Sequence, residues 1–101
     1  MTFESFCLSV NNERIPEVNS YLLALWHDKK GSWKKAHEIA QEIDDNSGSW
    51  IHAYLHRKEG DLSNASYWYH RAGKNMPSGT LDGEWESLVR HFLDDGKQEV
   101  A

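Results

Sequence analysis

Residues 48–77 read GSWIHAYLHRKEGDLSNASYWYHRAGKNMP, and the spacing inside this stretch predicts two helices joined at a glycine. Trp50, Ala53, Tyr54 and Arg57 recur at intervals of three and four, the period of one helix face. Gly60 breaks that pattern. A glycine costs about 1 kcal/mol in a helix interior, yet it suits the left-handed residue just past a helix end. Asp61 follows as a natural cap, because its carboxylate can accept from a first-turn N–H. Leu62, Ala65, Tyr69 and Ala72 then mark a second apolar stripe, and Pro77 closes the stretch.

Working outward, the same plan recurs 29 residues upstream. Gly31 falls on Gly60, Ala24 on Ala53, His27 on His56, Lys29 on Lys58 and Ala36 on Ala65. Small residues meet small ones, and Trp26 and Trp33 meet Leu55 and Leu62. We read an internal duplication of a two-helix unit, whose first copy has Ser32 as the cap of its second helix and Trp33, Ala36, Ala40 and Ile43 as its stripe. Downstream, Pro77 and Gly79 mark a loop. Trp85, Leu88, Val89 and Phe92 give one more helical stripe, capped by Thr80 or Asp82 and ended by Gly96. The predicted helices are 16–30, 33–45, 48–59, 62–74 and 82–95, with Pro16 in the first turn of the first. Residues 1–15 show no clear helical period and form an N-terminal arm, from which Phe3, Phe6 and Leu8 can cover the open end of the stack. The domain is then 16–101, two repeats plus a capping helix whose outer face is charged by Glu84, Glu86, Arg90, Asp94 and Asp95.

Trp50, Ala53, Gly60, Ala65, Tyr69, Ala72 and Pro77 follow one another as in a tetratricopeptide repeat, which this stretch resembles. Trp85, Leu88, Val89, Phe92 and Gly96 match the first half of that motif, and the chain resembles small bacterial proteins of this type. The upstream copy keeps Ala24, Gly31 and Ala36 but lacks the terminal proline. The step of 29 residues is short for the family, so the linker at Asp44–Ser47 must be tight. The resemblance implies an all-α fold, a right-handed stack of antiparallel helical hairpins with five helices. It also implies a concave groove lined by the first helix of each pair, holding a peptide or protein partner. Tyr21, Leu25, Asp28, Lys29, Trp50, Tyr54, Arg57, Lys58 and Arg90 would line it, with Trp50, Tyr54 and Arg57 as anchors. Aromatic and arginine side chains are the types enriched at binding hot spots.

Composition sets the outer bounds. With 101 residues the chain has room for one small core. Eleven Lys and Arg against sixteen Asp and Glu leave a net charge of −5, which provides no general field for nucleic acid or an anionic membrane. Mean hydropathy is −0.77, and no apolar run approaches the ~20 residues that span a bilayer. The N-terminus lacks the basic start and apolar run of a secretory signal. The single Cys7 excludes an intramolecular disulfide and points weakly to a reducing compartment. These readings together give a soluble, cytoplasmic protein.

Few residues carry candidate chemistry. His52 and His56 stand four apart on one helix, a spacing that can hold a transition metal, and the repeat aligns His27 with His56 as a third candidate ligand. The run is HAYLH, without the glutamate of the metalloprotease motif. Cys7 has no base tied to it, and no GxGxxG, GxxxxGK[ST] or GxSxG occurs. No catalytic residue and no cofactor are expected. Lys29, Lys30, Lys34 and Lys35 flank the first turn as solvated charges. Trp68 falls off the buried stripe, which makes it a candidate exposed contact for a homodimer.

Overall fold

The turns at Gly31 and Gly60 are built alike. A computed structural model describes the backbone of residues 1–100 and the side chains of 1–93. In it Gly31 has φ 97° and Gly60 φ 90°, the left-handed conformation that favours glycine. Gly31 N–H donates to the Asp28 carbonyl and Ser32 N–H to that of His27. The second turn repeats this register, Gly60 to Arg57 and Asp61 to His56. These are the paired bonds that close a helix end at a glycine.

All the regular secondary structure among the described residues is helical. The elements are α1 (Phe3–Asn11), α2 (Ser20–Lys29), α3 (Trp33–Gln41), α4 (Asn46–Glu59), α5 (Leu62–Ala72) and α6 (Leu81–Val100). Six helices thus replace the expected five. The additional one lies in the N-terminal arm, where the Thr2 and Ser5 side chains and backbones cap each other reciprocally. Phe6 and Val10, four apart, are buried, while Leu8 points to solvent. Helix α2 starts at Ser20 and not at residue 16, because the Asn19 side chain accepts from Leu22 N–H and fixes the start there. Helices α3 and α5 stop short of the expected 45 and 74, and Gly73 (φ 72°) ends α5. Ser32 makes no side-chain cap bond, whereas Asp61 accepts from Asn64 N–H. Thr80 caps α6 through Gly83 N–H. Helix α6 runs through the expected stop at Gly96 and on to Val100, while the side chains of Asp94 and Asp95 lie outside the described ones.

The linker before α4 is tight. A Cβ on Gly48 would lie 2.4 Å from the Ile43 carbonyl oxygen. The Asp45 carboxylate caps α4 through Gly48 N–H at 2.7 Å.

Packing follows the small residues. Helix α2 pairs with α3, α4 pairs with α5, and α3 joins the two hairpins by packing on α4. Ala24, Ala36, Ala40, Ala53 and Ala65 are buried at these seams, where helix axes must come within roughly 8–10 Å. Helix α6 lies against both α2 and α4, and α1 lies on α6. Trp85 is the pin. Its ring meets Phe3 and Phe6 at 5.9 and 6.0 Å, and its indole N–H donates to the Leu25 carbonyl at 3.0 Å. Among the described residues, no helix is long and apolar enough to cross a membrane.

Candidate functional site

Helix α4 has two faces, and each carries a different chemistry. Residues two apart on a helix point about 200° apart. Trp50, Tyr54 and Arg57 therefore lie on one side, and His52 and His56 on the other.

On the first side, α6 occupies the place where an open groove was expected. Leu25, Asp28 and Tyr54 are buried there and cannot line a surface. The Asp28 carboxylate accepts from Tyr54 Oη at 2.8 Å and from Lys58 Nζ at 2.9 Å. Glu84, on α6, accepts from Arg57 at 2.8 Å and from Tyr69 Oη at 2.6 Å. Arg57 also donates to the Gly79 carbonyl, tying down the loop before α6. Burial, and then the neighbouring carboxylates, push both tyrosine hydroxyls far above their ordinary pKa, so they act only as donors. Tyr21 stacks on Phe92 at 4.5 Å and donates to Asp45, Lys29 pairs with Asp82 at 3.6 Å, and Arg90 lies over Phe3 and pairs with Glu86. Two of the three expected anchors, Tyr54 and Arg57, are thus engaged within the chain.

Trp50 also donates its indole N–H to Glu84, at 3.4 Å, but keeps part of its ring open to solvent. It is half-buried and borders a cleft of about 420 Å³ at the edge of this face. Lys74, Pro77, Gly79, Thr80 and Glu84 complete its walls. The Lys74 ammonium sits 4.4 Å from the centre of the Trp50 ring.

The second side gathers three imidazoles. His37 on α3 meets His52 and His56 on α4, with one ligand nitrogen of each lying within 4.8 Å of the others. His52 Nε2 and His37 Nε2 are 2.9 Å apart, a distance that needs a single proton between them. Glu59 holds His56 Nδ1 at 2.6 Å. Trp33 stacks on His37 at 4.8 Å and Trp68 on His52 at 4.0 Å. Trp33 is itself fixed by donating to the Leu55 carbonyl at 2.7 Å. Burial, followed by the neighbouring rings, lowers the His52 pKa to about 4, and burial lowers that of His37. Both rings are therefore neutral at pH 7, the form that ligates metals.

His27 is not part of this cluster. It lies on α2, and the group of closely spaced ligand atoms comprises His37, His52 and His56. The His27 ring instead stands edge-on to Trp26. The third ring is His37, which sequence reasoning missed; its signal was the spacing of four from Trp33. Trp68 is half-buried, stacked on His52, with the Arg71 guanidinium 5.2 Å from the centre of its ring. Burial raises the pKa of the Cys7 thiol, away from the range of a reactive thiolate. No protein-family model, curated protein or solved structure matches the chain.

Proposed function

We propose that the chain is a noncatalytic scaffold of the tetratricopeptide-like kind, a right-handed stack of hairpins that captures a peptide or protein segment. The duplicated turn at Gly31 and Gly60 supports that architecture. The observation that carries the binding role is the cleft of about 420 Å³ beside Trp50, a size suited to one large side chain with its flanking backbone. Trp50 offers a flat apolar wall and Lys74 a cation beside it. The matching segment is extended, with an aromatic or aliphatic residue next to a carboxylate. Helix α6 fills the rest of the expected groove, so the recognised segment is short and its affinity modest. The lone Cys7 suits a reducing compartment such as the cytoplasm.

Selection from a random peptide library tests this reading. Selected peptides should combine an apolar residue with a neighbouring acid. Their binding should fall at least tenfold in Trp50→Ala and in Lys74→Glu, the latter a surface change that spares the core. A library that yields no binder, or binders indifferent to both changes, contradicts it.

A further inference from the structure

The imidazoles stand on the other side of α4 from the Trp50 cleft and support a separate reading. We propose that His37, His52 and His56 form a binding site for a first-row transition-metal dication of the zinc class, which ties α3 to α4.

The donor set is the first argument. Imidazole nitrogen suits zinc, copper and nickel, while magnesium and calcium require oxygen ligands. Three imidazoles leave a tetrahedral ion one further position for water or an incoming ligand. Trp33 and Trp68 pack on two of the rings, and the Glu59 carboxylate is engaged with the Nδ1 of the third.

Distance is the second. Ligand nitrogens about 2.0–2.1 Å from a tetrahedral ion lie roughly 3.3 Å from one another. The three nitrogens here lie within 4.8 Å, and the His37–His52 pair stands at 2.9 Å. Small ring rotations close the difference. An ion would take the place of the single proton now shared between the two Nε2 atoms. That proton moves to a ring Nδ1, and both imidazoles remain neutral.

Orientation is the third. A ligating histidine commonly donates its other ring nitrogen to a carboxylate, which fixes the tautomer and raises basicity. Glu59 does this to His56 Nδ1, leaving Nε2 for the ion. Trp33 and Trp68 hold the other two rings by stacking. All three histidines are thereby positioned before any ion arrives, which limits the entropy lost on binding. Access exists as well. A small pocket of about 130 Å³, lined by Ser49, His52, Trp68 and Arg71 among others, opens beside His52.

Calorimetric titration of the metal-free protein with zinc chloride near neutral pH tests the proposal. One equivalent should bind with micromolar affinity or better and raise the melting temperature. His37→Ala, His52→Ala and His56→Ala should each weaken binding at least ~100-fold, and Glu59→Gln about tenfold. His27→Ala and His70→Ala should bind like the unaltered chain. Absence of uptake at tens of micromolar zinc, or a His37→Ala variant that binds normally, overturns the proposal. If a histidine variant does not fold, cobalt(II) added to the unaltered chain decides. Intense visible bands of a tetrahedral site support the proposal, and only the weak bands of six-coordinate cobalt refute it. The Trp50 and Lys74 changes should leave zinc binding intact, so either reading can fail without the other.

Discussion

The two sides of α4 treat buried polar groups in opposite ways. Toward α6, each buried acid has its own cation and its own hydroxyl: Asp28 has Lys58 and Tyr54, and Glu84 has Arg57 and Tyr69. Toward α3, three imidazoles crowd together, and one carboxylate, Glu59, touches one of them. The first side is closed electrostatically and holds α6 in place. The second is stable only while its rings are uncharged, and it is the side on which an added cation has donors to meet. Buried charge is tolerated when paired, and unpaired buried charge costs several kcal/mol.

The largest test of this contrast removes Arg57. Its guanidinium is mostly covered, with 14 % of the side chain exposed, and Glu84 is nearly fully buried. Arg57→Ala should cost ~3–5 kcal/mol in urea unfolding, because Glu84 keeps its charge and loses its partner. Glu84→Gln combined with Arg57→Ala should recover part of that loss.

Acid should act on the other side. A folded pKa below the unfolded value means that the unfolded chain binds the proton first. The penalty is absent above the unfolded histidine pKa of about 6.5 and grows as pH falls toward the folded value of about 4 for His52. Metal-free protein should lose up to ~3 kcal/mol from this source between pH 7 and pH 4. The groups facing His52 are His37, His56 and, across the adjoining pocket, Asp44 and Arg71. A His52→Leu variant should show a correspondingly flatter stability profile. An unchanged profile would mean that His52 titrates normally.

Gly48→Ala comes next. It forces a Cβ against the Ile43 carbonyl at the start of α4 and should cost about 1–3 kcal/mol, read from the urea midpoint. Lys58→Ala is the smallest. Its side chain is 38 % exposed, so solvent screens the pair with Asp28, and Tyr54 still donates to that carboxylate. The loss should stay below ~1 kcal/mol. If Lys58→Ala costs as much as Arg57→Ala, exposure is not what separates the two pairs.

What was legible in the sequence is what the local backbone decides. Gly31 and Gly60 sit at helix ends because a left-handed residue is needed there. The alanines mark seams because only small residues let helices approach. The helix in the N-terminal arm left a signal, Phe3, Phe6, Cys7 and Val10 at helical spacing, but the intervening serines and its short length obscured it. The open groove failed as an expectation for a different reason. Whether α6 lies across α2 and α4 depends on contacts such as Trp85 with Leu25, separated by 60 residues, which no local pattern encodes. The histidine site was half legible. The pair on α4 follows from spacing alone, whereas the third ring depends on how α3 packs against α4. The sequence alignment of the two hairpins suggested His27, which lies on α2, whereas the ring beside the α4 pair comes from α3.

Nitrogen-resolved NMR of the imidazoles during addition of substoichiometric zinc tests the central contrast most directly. The ring signals of His37, His52 and His56 should shift together while those of His27 and His70 stay in place. If His27 moves with them, or if no ring responds, the inner face of α3 and α4 is ordinary packing and the division between the two sides of α4 does not hold.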